Sequence, residues 1–102
     1  MRIIKRARLV EFWTHHPKSK SALQRWFGLT RSVAWGSFLQ VKTTFPASDQ
    51  VRVSSGGTCV VFDIAGNNYR MISAIHYNRQ IVHVLRILTH AEYDAEKWRK
   101  EL

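Results

Sequence analysis

The sequence predicts an α+β fold, in which helices pack on one face of an antiparallel sheet. Three observations lead to this class. Apolar residues recur at helical spacing in the first third of the chain, the second half consists of short β-rich runs between tight turns, and a helix-start signal follows the last run. With 102 residues, of which 45% are hydrophobic, residues 1–102 are expected to form one domain.

The first half predicts a short strand followed by two helices. Ile3 and Ile4 form the opening strand, and the helical repeat of Leu9, Phe12 and Trp13 then continues until it reaches Pro17. A second helix ends near Trp35-Gly36, and residues 43–50 are predicted to be a loop. The expected apolar face of that second helix comprises Leu23, Trp26, Phe27, Thr30 and Val33.

The second half predicts an antiparallel meander. Its strands are expected at Val51–Val53, Cys59–Ile64, Tyr69–His76 and Ile81–Leu88. The turns between them are too short for parallel crossovers. Two helices before the sheet and one after it are expected to cover one face, and the other face is expected to be open.

The last predicted helix begins at a T-x-x-E capping box formed by Thr89 and Glu92, which makes His90 the first helical residue. In a continuous helix Ala91, Ala95, Trp98 and Leu102 would share an apolar stripe, and Tyr93 would point away from it. Free N–H groups at a helix start attract phosphate and disfavour a protonated imidazole. A neutral histidine beside an anion is therefore expected here.

Charge favours a polyanionic partner. The formal net charge is +9, and residues 1–42 hold nine Lys and Arg against the single acid Glu11. Nucleic acid is the first candidate, although a merely soluble basic surface is the alternative. No secretory signal or membrane-spanning run is found, and Cys59 has no disulfide partner, so a reducing, cytoplasmic location is expected.

Metal and cofactor chemistry are not predicted. His15 and His16 are adjacent at a helix end and are expected to diverge, while His76 and His83 lack ligands at metal-binding spacing. No phosphate-cradling loop, nucleophile elbow or dinucleotide fingerprint occurs. Cys59 lies in an apolar run and is expected to be a buried small hydrophobe.

The remaining reactive side chains suit metal-free RNA cleavage. That reaction needs a base for the 2′-OH proton, cations for the charged transition state, and a proton donor for the 5′ oxygen. These roles could be filled by His90, Tyr93, Arg70, Arg86 and Lys42. The alternative is structural: Tyr93 could be a surface residue, and the two arginines could pair with Asp63 or Asp94. A connection of two or four residues between the last two strands would place Arg70 and Arg86 on opposite faces, and an odd one on the same face.

The chain resembles the HigB toxins, which are related to RelE-type toxins. The resemblance extends over MRII, LQRWF, VKTTFPASD, VVFDIAGNNYR, AIHYNRQIV and LTHAEYD, of which GNNYR with LTHAEYD is the most specific pairing. The residues that match the family pattern are Lys42, Asn67, Tyr69, Arg70, Thr89, His90, Glu92, Tyr93 and Asp94. The chain departs from that pattern at Thr58-Cys59, Asp63 and Leu88, and in the position of Arg86.

The resemblance implies a RelE-like fold, cleavage of translated mRNA in the ribosomal A site, and a cognate HigA-type helix-turn-helix antitoxin that alone contacts operator DNA. It implies catalytic roles for His90, Tyr93, Arg70, Lys42 and Arg86, and RNA contacts by Lys42, Arg70, Tyr69 and Asn67. The capping box accounts structurally for Thr89 and Glu92. Which of His90 and Tyr93 is base or acid stays open, although a neutral imidazole favours His90 as the base.

Two other functions compete with this hypothesis. A non-catalytic RNA- or ribosome-binding module would use the same basic surface, and only cleavage in a translating extract distinguishes it from a nuclease. A DNA regulator is disfavoured, because the chain has no convincing helix-turn-helix of its own.

Overall fold

A computed structural model describes residues 1–102. The strands are β1 (Arg2–Ile4), β2 (Asp49–Arg52), β3 (Thr58–Ile64), β4 (Tyr69–His76) and β5 (Ile81–Thr89). The helices are α1 (Ala7–His15), α2 (Lys20–Ser32), α3 (Phe38–Thr44), α4 (His90–Asp94) and α5 (Lys97–Glu101). The predicted α+β class is confirmed, and so are the opening strand and the meander.

The five strands form one sheet in the order β1-β5-β4-β3-β2. Strands β2 to β5 pair antiparallel as predicted, whereas β1 pairs parallel with β5, with Arg2 opposite Ile81 and Ile4 opposite His83. A parallel pair is possible because α1, α2 and α3 provide the long connection that it requires. β1 covers only the first three residues of β5, so residues 84–89 have no strand on their outer side.

One sheet face carries the main core. Apolar residues of α1, α2 and α3 and of the segment before α3 meet alternate residues of the sheet, because successive strand residues point to opposite faces. The buried residues of this core are Leu9, Leu23, Trp26, Trp35, Val41, Val60, Phe62, Ile64, Met71, Val82 and Val84. Each large side chain buried there contributes about 1.5–3 kcal/mol of transfer free energy. This cluster holds the N-terminal helices on the sheet.

The opposite face is not open, which corrects the prediction. A smaller buried cluster covers it, formed by Val53, Cys59, Val61, Ile72 and Trp98. Trp98 belongs to α5, whose Arg99 carbonyl accepts a hydrogen bond from Ser54 N at 3.0 Å. The C-terminal segment therefore crosses the sheet to the face opposite the N-terminal helices. Cys59 is buried there as predicted, and burial raises the pKa of its thiol above the ordinary 9.0.

Several elements differ from the prediction, and one of them is α2, which ends at Ser32 and not near Trp35-Gly36. The segment 43–50 is not all loop, because α3 runs to Thr44 and β2 begins at Asp49. α3 was missed because its N-cap, Ser37, makes no side-chain capping bond and its short sequence buries only Val41. The C-terminal helix is not continuous, because Glu96 adopts a left-handed backbone conformation (φ 58°) that separates α4 from α5.

Candidate active site

A β-bulge places Arg70 and Arg86 on the same face of the sheet. The connection from His76 to Ile81 has four residues, which by itself predicts opposite faces. However, Ile72 pairs with Arg86 while Ser73 pairs with Val84, so Leu85 is an extra residue in β5. The bulge shifts the register by one, and Arg86 joins Arg70 on the face of the smaller cluster. The two arginines are diagonal neighbours, since Arg70 itself opposes Leu88.

Arg70 is held by a dense set of hydrogen bonds. Its Nε lies 3.1 Å from Asp63 Oδ1, the carboxylate directly opposite on β3. Nη1 donates to the carbonyls of Asn67 (3.1 Å) and Tyr69 (3.2 Å), and Nη2 donates to Asn67 Oδ1 at 3.0 Å. Because a guanidinium has five N–H donors, one N–H on Nη2 is left for a ligand. The side chain is only 12% exposed, so its direction is fixed.

The turn between β3 and β4 connects Arg70 to the start of α4. Ala65 and Gly66 have positive φ angles there (53° and 66°), and Asn68 Nδ2 donates to the Ala65 carbonyl at 3.0 Å. Asn67 anchors Arg70, and the Asn68 carbonyl accepts a hydrogen bond from His90 N at 3.1 Å. One turn therefore positions both the Arg70 guanidinium and the backbone at the start of α4, where His90 lies.

Tyr93 lies against Arg70 and is not a free surface residue. The Arg70 guanidinium carbon is 5.6 Å from the centre of its ring, and Trp98 stacks on the same ring at 5.1 Å. Trp98 Nε1 also donates to the Tyr93 carbonyl at 3.0 Å. The break at Glu96 makes this packing possible, because α5 folds back over α4. Burial is the largest influence on the Tyr93 hydroxyl and raises its pKa above the ordinary 10.0; Arg99 opposes this effect.

His90 is exposed and paired with Asp94 one turn later. Its Nε2 lies 3.0 Å from Asp94 Oδ2, and 52% of the imidazole side chain is accessible to solvent. The capping box is confirmed: Glu92 N donates to Thr89 Oγ1 and Thr89 N donates to Glu92 Oε1. With His90 N bonded to Asn68, these N–H groups have partners within the chain. The helix start is therefore not the open phosphate cradle that the sequence predicted.

The side chains of the other predicted site residues make no hydrogen bond or ion pair with Arg70, Tyr93 or His90. Arg86 donates to its neighbour's carbonyl, Leu85 O, at 2.9 Å and is 3.7 Å from Glu101 Oε2. Lys42 is exposed on α3 and makes no hydrogen bond or ion pair with those three residues. Tyr69 packs against the main core on the opposite face, with its ring 5.3 Å from that of Phe12.

The sequence also matches known proteins. The pattern of the HigB_toxin family, described as the RelE-like toxic component of a toxin-antitoxin system, matches residues 19–96. The chain belongs to this family. It is also 29% identical over 94 residues to the mRNA interferase HigB of Escherichia coli O6:H1 (strain CFT073), an alignment that covers 92% of this chain and 89% of that protein.

For this HigB_toxin family member, the sequence did not predict the roles that three residues have in the site. Asp63 was considered only as an ion-pair alternative, yet it orients Arg70. Asn67 was assigned to RNA, yet its carbonyl and side-chain oxygens both accept from Arg70. Trp98 was assigned to an apolar stripe, yet it supports the Tyr93 ring. The only available signal was the two-residue alternation that puts Asp63 and Val61 on one strand face.

No group of three or more His, Cys, Asp or Glu side chains is arranged to hold a metal ion. None of the helices has the length and apolar character needed to cross a bilayer.

Proposed function

We propose that this HigB_toxin family member is an mRNA interferase, an endoribonuclease that inhibits translation by cutting messages as they are translated on the ribosome. The observation that carries the proposal is the grouping of Arg70, Tyr93 and His90 around the turn at Asn67-Asn68. Membership of a toxin family and similarity to a protein named an mRNA interferase support it. We further propose that a HigA-type helix-turn-helix antitoxin neutralises the protein.

His90 is proposed as the base. When its neutral imidazole donates the Nε2 proton to Asp94, Nδ1 has a free lone pair on the exposed ring. Nδ1 takes the proton from a ribose 2′-OH, and the 2′ oxygen attacks the adjacent phosphorus. The bond from phosphorus to the 5′ oxygen breaks, which leaves a 2′,3′-cyclic phosphate and a 5′-hydroxyl. Asp94 would orient the imidazole throughout this step.

Arg70 and Tyr93 are proposed to act on the phosphate. The remaining Arg70 N–H points from a fixed guanidinium, and a preorganised donor stabilises transition-state charge without rearranging. The ordinary pKa of 10.0 keeps the Tyr93 phenol protonated at neutral pH, and burial raises that pKa further, so its hydroxyl has a proton to donate to the 5′ oxygen or to use in orienting the substrate. These side chains supply acid, base and cation, so the proposed reaction requires no metal ion.

One observation favours a second candidate, the non-catalytic RNA- or ribosome-binding module. Four of the five Arg70 donors are already used within the chain, as expected for a structural ion pair. A binding module would stall or protect messages without producing new 5′ ends.

Mapping of 5′ ends in a translating extract separates the two candidates. The wild-type protein is expected to produce new ends within translated frames. His90→Ala is expected to slow cleavage about 10²- to 10⁴-fold, the usual contribution of a general base. His76→Ala removes an exposed histidine at the end of β4 and is the matched control. Intact messages with the wild-type protein would refute the nuclease.

A further inference from the structure

A polar cleft lies beside the proposed site. It has a volume of about 300 Å³ and is bounded by α1, β5 and the first turn of α4. It borders the part of β5 that β1 leaves without a strand partner. Arg8, His15, His16 and Arg86 supply its hydrogen-bond donors, and Glu11 and Glu92 are its two acids. The proposed reaction uses none of the α1 residues.

Several donors in this cleft have no partner. The Arg8 guanidinium makes no salt bridge, and because its Nε is sealed from solvent, only its terminal Nη groups can contact a ligand in the cleft. His15 uses only Nδ1, which is 3.0 Å from the Glu11 carbonyl. His16 stacks on Phe12, with ring centres 4.3 Å apart, and its nitrogens make no hydrogen bond. Unused cationic and imidazole donors that meet in one cleft are suited to an anion.

Both histidines face the cleft although adjacent helical residues were expected to diverge. α1 ends at His15, and His16 leaves the helix with φ −130° and ψ 73°. The change of backbone direction between them brings His16 back to the same cavity. The convergence therefore depends on the position of the helix end.

The two acids equal the two arginines in formal charge, but neither acid forms a salt bridge with Arg8 or Arg86. Glu92 is engaged in the capping box, where its Oε1 accepts from Thr89 N at 2.9 Å. Both carboxylates would repel a bound anion, and Glu11 is the one whose side chain no hydrogen bond holds in place.

Arg86 joins the cleft to the proposed site. It lines the cleft, it also lines the neighbouring groove beside Trp98, and it shares a sheet face with Arg70. We infer that the cleft binds a phosphate of the RNA strand flanking the cleaved linkage, with Arg8 as its main contact. This inference rests on the proposed function, because it extends the path of the same RNA across the free edge of β5.

The test measures binding of a short, non-cleavable 2′-O-methyl RNA by fluorescence anisotropy at several salt concentrations. Arg8→Gln is expected to weaken affinity roughly fivefold, as for one partly exposed ion pair. It is also expected to reduce the salt slope by about 0.7, the value for one phosphate contact of a single strand. Arg31→Gln removes the same charge from an exposed position on α2 and is expected to change affinity less than about twofold, as a surface substitution outside the cleft.

Phosphate neutralisation identifies the contact. RNAs that carry one uncharged methylphosphonate at successive linkages are bound to the wild type and to Arg8→Gln. At one linkage the neutral group should weaken the wild type but not the variant, because the two changes remove the same interaction. Glu11→Gln should act in the opposite direction and tighten binding. If a thermal melt shows that Arg8→Gln is unfolded, the same RNAs are tested with Arg8→Lys, which retains the charge.

The outcomes separate this inference from the proposed function. If Arg8→Gln and Arg31→Gln behave alike at every linkage while Arg70→Ala impairs cleavage, the cleft inference is overturned and the proposed function stands. If Arg8→Gln weakens only the binding of an acidic antitoxin segment, the cleft is a protein-binding surface and the inference is overturned. If the wild type neither binds nor cleaves RNA, the proposed function itself fails.

Discussion

The two faces of the sheet are built differently. The cluster between the sheet and α1, α2 and α3 has 11 buried apolar residues, whereas the cluster on the opposite face has five and is covered only by the short helices α4 and α5. On the first face the paired strand residues Phe62 and Met71 are apolar. The next pair along the same two strands, Asp63 and Arg70, lies on the second face and is charged. A fully packed face cannot hold an open cationic site, because a buried charge must be paired or hydrated. The thin cover over the second face therefore leaves room there for the proposed chemistry.

The largest test of this contrast is a matched pair of tryptophan deletions. Trp26→Ala removes a side chain from the main core and is expected to lower the free energy of unfolding by about 3–5 kcal/mol. Trp98 is equally buried, but Trp98→Ala should lower the free energy of unfolding by less, because α5 can detach without opening the main core. The same substitution should impair cleavage, because Tyr93 loses its stacking partner. Urea unfolding and cleavage assays measure both. Equal destabilisation by the two substitutions would contradict the contrast.

The second test compares the two strand arginines. Arg70→Ala is expected to slow cleavage about 10²- to 10³-fold, as when one fixed donor to a transition state is lost. Arg86→Ala should have a smaller effect, because its guanidinium is 35% exposed and its contact with Glu101 is long. Single-turnover cleavage gives both rates, and circular dichroism reports the fold. An unfolded Arg70→Ala protein would identify Arg70 as a structural partner of Asp63.

The third test concerns the charge opposite Arg70. Asp63→Asn keeps the shape of the hydrogen-bonding group but removes its negative charge, so the guanidinium should attract phosphate more strongly. RNA affinity is expected to rise about two- to fivefold, the range for a partly exposed ion pair. The change should shrink as salt is increased. A loss of cleavage without a loss of affinity would instead show that the carboxylate is needed to orient Arg70.

The smallest expected effect concerns two partly buried tyrosines, one on each face of the sheet. Burial raises the pKa of Tyr77, which packs on the main core, and of Tyr93, which packs on the smaller cluster. The folded state therefore retains these protons better than the unfolded state, and the resulting stability is complete below pH 10 and declines as the pH rises above it. Tyr77→Phe and Tyr93→Phe should each lessen that alkaline decline, which urea unfolding at several pH values measures. An unchanged alkaline decline in both variants would contradict the assignment.

The sequence predicted which residues belong to the candidate site better than it predicted how those residues are arranged. The grouping of Arg70, His90 and Tyr93 followed from residue types and a family resemblance, and the geometry brings these three around one turn. Lys42 and Tyr69 were predicted with them but lie elsewhere in the fold. Spacing along a chain does not report which face of the sheet a strand residue occupies unless the register is known.

The sequence by itself determined what depends on neighbouring residues. The capping box at Thr89 and Glu92, the helix that ends before Pro17 and the strand Tyr69–His76 were predicted because caps, proline and two-residue alternation act within a few positions. Tertiary structure decided the rest. The bulge at Leu85 places Arg86 on the same sheet face as Arg70. The left-handed backbone conformation of Glu96 allows Trp98 to stack on Tyr93. Both features are local irregularities that long-range packing stabilises, so short-range preferences do not predict them.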